Sequence, residues 1–206
     1  MTTERLAMFP LGTVLFPGEA IPLQVFEPRY QVLVARCLEG RPEFGIALIE
    51  RGSEVGGGET RTAAGTIARI VEARELGGGR WFLLVVGDRR IRVERWLDDD
   101  PHPWAEVAEW PDPTPGPGVE GLLRSTTTAV RRVLAMATEL GQAVRSTTFE
   151  VPDDPGPASH RLASVAPLGP FDRQRLLEAP SVEHRLHEVT VACDELRTTL
   201  DQAFRS

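Results

Sequence analysis

His184 and His187 stand three residues apart between Glu183 and Glu188, and on a helix that spacing places both imidazoles on one side, where they could share a metal ion. A closed zinc site needs three or four protein ligands, and no third ligand at a suitable spacing is evident. The four residues therefore read as a solvated helix face opposite Leu186, Val189 and Cys193, and no metal is expected. A second cluster combines Arg89, Arg90, Arg92 and Arg95 with Trp81, Trp96, Trp104 and Trp110. Guanidinium planes and aromatic rings together can stack nucleic-acid bases. Yet Glu94, Asp98, Asp99 and Asp100 follow directly, and the first 117 residues carry 18 acidic against 13 basic side chains. With a net charge of −7 over the whole chain, attraction to phosphate is weak. Nucleic acid is disfavoured as a partner, and a charge-balanced strand face is preferred.

Covalent chemistry is harder to assemble. Gly56–Gly58 and Gly77–Gly79 do not open a helix after a strand, which is the context a phosphate loop needs, so both read as turns. No G-x-S-x-G elbow accompanies the four scattered histidines. All 23 basic residues are arginine, and the chain contains no lysine. A nucleotide-binding Gly-Lys-Ser/Thr loop and a serine–lysine proteolytic dyad both require one. No catalytic residue and no cofactor is assigned, and the chain reads as non-enzymatic.

Apolar residues are the better candidates. In FPLGTVLFPGEAIPLQVFEPRY, residues 9–30, two short apolar runs flank the turn Pro17-Gly18-Glu19, and a helix starts at Glu27-Pro28. Thr13–Phe16 and Ile21–Phe26 are expected as strands. Phe16 and Pro17, at the tip between them, are expected to be exposed, with Phe26 as their neighbour. Exposed apolar surface commonly marks protein contacts, so Phe16, Pro17 and Phe26 form the candidate peptide-binding set. Glu27 and Arg29 are placed to pair and pin the helix start.

The elements that must position these residues fall into two halves. Residues 1–110 read as β-rich with one helix, Glu27–Leu38, whose Tyr30, Leu33, Val34, Cys37 and Leu38 repeat at helical spacing. Phe44–Glu50 is a strand, Gly52–Gly58 a polar loop, and Gly65–Leu76 and Trp81–Gly87 form a hairpin about Gly77–Arg80. WFLLVV is apolar on both pleat faces and is expected to be covered on both sides, whereas Arg89–Trp96 alternates. The segment 111–118, PDPTPGPG, holds four prolines and two glycines and reads as a linker. Residues 119–206 follow a helical period: a long helix Val119–Leu140, short ones near Ser159–Val165 and Asp172–Leu177, and a closing helix Ser181–Phe204. Cys37 and Cys193 fall on apolar helical stripes and are expected as buried free thiols. The N-terminus has no secretory h-region, and no apolar run has the length of a membrane span, so a cytoplasmic location is expected.

The phrases FPLGTVLFPG and PLQVFEPRY resemble the opening of the Lon N-terminal domain, the substrate-binding domain of ATP-dependent Lon protease. FDRQRLLEAPSVEHRLHEV resembles the same domain's short helix, turn and long helix, so the likeness has a block at each end of the chain. The resemblance implies an α+β fold, a PUA-like β pseudobarrel followed by a C-terminal helical bundle, together one Lon N-terminal-type domain. Because the ATPase and protease parts both need a lysine and the chain has none, a module standing alone, without them, is expected. Its expected partners are unfolded or partly folded protein segments and a protease machine. A PUA-like module for RNA or a small ligand is the alternative.

Overall fold

A computed structural model describes residues 3–51, 60–142 and 148–204. The chain divides into two compact units, Met1–Pro111 and Asp112–Ser206. The first holds strands β1 (Thr3–Leu11) and β2 (Ala20–Val25), helix α1 (Pro28–Glu39), and strands β3 (Glu43–Arg51), β4 (Thr60–Gly77), β5 (Arg80–Leu97) and β6 (Trp104–Glu109). The strand order is β2-β5-β4-β3-β1-β6, and an additional β5–β6 pairing closes β5, β4, β3, β1 and β6 into a barrel with β2 outside the ring. Closure removes sheet edges that would otherwise lie open. All neighbours are antiparallel except β1 and β3, which run parallel.

Side-chain alternation then builds two apolar layers. Leu6, Met8, Ala47, Ile67, Ile91, Val93, Ala105 and Val107 share one cluster, the barrel interior. Their neighbours in sequence, including Ala7, Phe9, Ile46, Ala68 and Trp104, point to the opposite face and join Tyr30, Leu33, Val34 and Cys37 of α1 in a second cluster. Each wall of the barrel is thus apolar on both pleat faces wherever α1 covers it.

Several expectations need correction. The first strand is Thr3–Leu11, not Thr13–Phe16. Residues 12–16 are irregular, and side chains take the place of a ladder at two points: the Thr66 hydroxyl donates to the Leu15 carbonyl at 2.6 Å, and the Phe16 N–H donates to the Glu19 carboxylate at 3.0 Å. Trp81–Gly87 and Arg89–Trp96 are one continuous strand, because β5 changes partner from β2 to β6 along its length. Within WFLLVV only Leu83 and Val85 are fully buried, while Phe82, Leu84 and Val86 are half-buried. Leu38 of α1 is exposed. The loop expected at Gly52–Gly58 lies outside the described residues.

The second unit is helical: α2 (Val119–Glu139), α3 (Pro155–Val165), α4 (Pro170–Leu177) and α5 (Val182–Phe204). Asp154 caps α3 by accepting from the Gly156 N–H at 3.1 Å, and the Ser181 hydroxyl accepts from the His184 N–H at 3.2 Å at the start of α5. Val182, Leu186, Val189, Cys193 and Leu200 are buried along one stripe of α5, with Leu196 half-buried. Thr126 of α2 donates to the Leu186 carbonyl at 3.1 Å, a polar stitch inside the apolar contact. Arg185, fully buried, gathers the rest. It donates to both carboxylate oxygens of Asp112 at 2.9 and 3.0 Å, to the Leu176 carbonyl at 3.1 Å and to the Ser159 hydroxyl at 2.8 Å. His160 Nε2 lies 3.1 Å from the same carboxylate. The Gly116 N–H donates to Glu183 at 2.6 Å. The proline-rich segment is therefore held at Asp112 and Gly116. None of the described helices is long and apolar enough to cross a membrane.

Candidate functional site

The turn before β2 decides which of the candidate residues reach the surface. Gly18 takes φ +77°, a left-handed conformation that suits glycine, and its N–H donates to the Gly87 carbonyl at 2.8 Å. The Gly87 N–H donates to the Glu19 carbonyl at 2.9 Å, so two residues of the turn oppose one of β5 in a bulge. Gly87 also lets the turn approach: a Cβ there would stand 2.2 Å from the Phe16 carbonyl oxygen. The buried Glu19 carboxylate folds back onto the Phe16 N–H. These bonds hold the tip down, and the Phe16 ring is completely buried. The expectation that Phe16 is exposed is therefore corrected: it is a core residue. Pro17 is half-buried, and Phe26 is 56% exposed.

Phe26 borders a pocket of about 150 Å³ lined by Phe9, Leu11, Pro22, Leu23, Gln24, Val25, Glu27 and Tyr30. Tyr30 stacks on Phe9 with ring centroids 4.0 Å apart, which fixes an aromatic wall. Glu27 and Arg29 pair at 3.1 Å, both largely buried, and the Arg29 guanidinium lies over the Tyr30 ring. The Gln31 amide donates to the Phe26 carbonyl at 3.0 Å and sets the entry into α1. Such a pocket is mostly apolar, with Gln24 and the Arg29-paired Glu27 as its polar lining, and suits an uncharged side chain. Sequence reasoning missed Phe9, Leu11 and Tyr30 as pocket walls. It also passed over Pro22, whose place inside a strand run is itself a signal of an edge.

The other candidates are accounted for by their neighbours. Arg95 pairs with Glu106, and the pair holds the Glu106 carboxyl below the usual range. Arg89 reaches Glu109, Asp88 and Glu43. Arg90 and Arg92 lie over the Trp110 ring, at 4.5 and 4.1 Å. These guanidinium groups are engaged within the unit. In the helical unit Glu188 pairs with Arg175 at 2.8 Å, and the Gly116 N–H holds the Glu183 carboxyl low, while His184 and His187 are exposed. Among the described residues no group of three or more His, Cys, Asp or Glu is placed to hold a metal ion. A groove of about 290 Å³ between α4 and α5 is crossed by that Arg175–Glu188 pair.

Residues 5–193 match the family described as the ATP-dependent protease La (LON) substrate-binding domain. The chain belongs to the LON substrate-binding domain family. Among curated relatives, it is 26% identical to Lon protease 2 of Herpetosiphon aurantiacus over 94% of its length, and 28% identical to Lon protease of Roseiflexus castenholzii over 90%. It spans about a quarter of these relatives, 24% and 23% of their lengths. Among solved structures, a Lon N-terminal domain protein from Xanthomonas campestris superposes with a TM-score of 0.67 at 29% identity, covering 91% of this chain and 98% of that one. The N-terminal domain of a Mycobacterium avium complex Lon protease gives 0.66 at 18% identity over 93% and 98%, a likeness of fold alone. The α+β architecture of this LON domain, barrel strands followed by helices, is that of its structural relatives.

Proposed function

We propose that this LON domain is a non-catalytic module that binds unfolded or partly folded protein segments, in the cytoplasm, and presents them to or withholds them from a protease machine. The observation that carries the reading is the match of nearly the whole chain to a family described by substrate binding. The apolar pocket beside Phe26 supports it, because a buried aromatic wall with an exposed aromatic rim suits side chains that only an unfolded protein exposes. Phe26 and Pro17 are the surface residues assigned to this contact. The lack of lysine supports the absence of ATPase and serine–lysine protease chemistry in this chain. The segment 111–118 serves as the connection between a β subdomain and a helical one.

The test uses reduced, carboxymethylated lactalbumin, a permanently unfolded protein. The chain is expected to capture it with an affinity that changes little between low and high salt, since apolar burial does not depend on counterion release. Phe26→Ser is expected to weaken capture while leaving the thermal midpoint in place, because the ring is exposed. Capture that collapses with salt, or that Phe26→Ser leaves untouched, refutes the assignment. Salt-sensitive retention of RNA in the same format supports the nucleic-acid alternative instead.

A further inference from the structure

Strand β2 pairs with β5 on one side and, among the described residues, with no strand on the other. The bulge at Gly18-Glu19 fixes which of its backbone groups face outward. Gly87 exchanges hydrogen bonds with that pair, so the two-residue repeat of an antiparallel ladder makes Ile21–Val85, Leu23–Leu83 and Val25–Trp81 the hydrogen-bonded pairs. Ala20, Pro22 and Gln24 turn their peptide groups away from β5. Pro22 fits that position, since it has no N–H to leave unpaired. The outer edge thus presents the carbonyls of Ala20, Pro22 and Gln24 and the N–H groups of Ala20 and Gln24.

The pocket runs along this same edge. Side chains of a strand alternate between faces, so a pocket lined by five consecutive residues, Pro22 to Phe26, lies beside the strand and not over one face. The opposite edge is filled by β5. Resting on the polypeptide-binding reading above, we infer that β2 binds an extended segment of its client as an added strand, with one apolar side chain of that segment seated against Phe9, Leu11 and Tyr30. An extended backbone supplies the donors and acceptors that match an open strand edge, whereas a helix has already spent its own on itself. The rim pair Glu27–Arg29 carries no net charge, which selects an uncharged side chain. Pro22 removes one donor from the edge and so fixes the register in which a strand adds.

The experiment follows binding of the unfolded lactalbumin, and of a short fluorescein-labelled peptide alternating valine and threonine, to the full chain. Gln24→Pro deletes an outward N–H without touching the β5 ladder, and Gln24→Ala keeps that N–H. Loss of one interstrand hydrogen bond is expected to weaken binding of both probes about tenfold in Gln24→Pro relative to Gln24→Ala, since both variants lose the side chain that lines the pocket and only the proline loses the N–H. In the unaltered chain, amide exchange at Gln24 is expected to slow when either probe binds, a readout that holds even where Gln24→Pro lowers the thermal midpoint. Binding of lactalbumin with Gln24 exchange unchanged overturns strand addition and leaves the polypeptide-binding reading intact. Failure of the unaltered chain to bind lactalbumin overturns that reading itself.

Discussion

Phe16 shows how a residue's place depends on the backbone around it. Its type and its position beside Pro17-Gly18 suggest a loop tip, but its N–H is taken by Glu19 and its carbonyl packs against Gly87. With the ring completely buried, Phe16→Ser is expected to leave a cavity and cost roughly 3–5 kcal/mol, read as a large fall in the thermal midpoint. An unchanged midpoint would return Phe16 to the surface. The cysteines allow a prediction with a sign. Burial lifts the Cys37 thiol from 9.0 to about 11 and the Cys193 thiol to about 12. Below pH 9 both thiols are protonated in the folded and unfolded chain, and their contribution to stability is fully present. As pH climbs from there toward the folded values, the unfolded chain releases protons that the folded chain keeps, so stability falls. Denaturant midpoints measured from pH 8 upward are expected to decline, and to decline less in Cys37→Ala and Cys193→Ala. Parallel slopes in all three proteins would contradict the burial of the thiols.

At the level of elements, the turn before β2 and its bulge locate the edge strand. Two glycines do different jobs there, and substitution separates them. Gly18 has room for a Cβ but a positive φ, so Gly18→Ala is expected to cost about 1–2 kcal/mol of backbone strain. Gly87 has no room, and Gly87→Ala drives a Cβ into the Phe16 carbonyl. Its expected cost is about 1–3 kcal/mol, with faster amide exchange at Ile21 and Leu23, whose N–H groups face β5. Equal exchange in the two variants would mean that the close approach at Gly87 does not hold β2. Other elements were legible in advance. The stripe of Val182, Leu186, Val189 and Cys193 predicts α5, because one buried helix face needs apolar residues at alternating steps of four and three. The apolar pattern misplaces the first strand, because Thr13–Phe16 is as apolar as a strand while Val14, Leu15 and Phe16 are buried in an irregular loop. Burial alone does not reveal whether a ladder or side chains satisfy the backbone.

For the whole molecule, the charge inventory is the widest constraint. With arginine as the sole strong cation, no lysine can reach a nucleotide phosphate or serve as a general base. The purified chain is expected to hydrolyse no ATP and to cleave no casein. ATP-stimulated release of casein peptides that survives removal of contaminating proteases would refute this. The arginines do structural work instead. Arg185 binds Asp112 inside the helical unit, and since breaking one side of a buried pair strands a charge, the residue anchors the chain entering that unit. Lysine could not replace it, because a planar fork is needed to hold both carboxylate oxygens together with the Leu176 carbonyl and the Ser159 hydroxyl.

The family is legible in the two terminal blocks, the helical stripes in their period, and the lack of lysine chemistry in a missing residue type. Each is a property of order or composition, readable without knowing what lies opposite. Only tertiary packing makes Phe16 core and Phe26 surface, carries β5 unbroken past β2 and β6, and leaves β2, among the described residues, with no strand along its outer edge beside the pocket. Exposure and edge status depend on which distant segment fills the space alongside. The contacts that settle them, Phe16 against Gly87 and Leu15 against Thr66, join residues far apart in the chain.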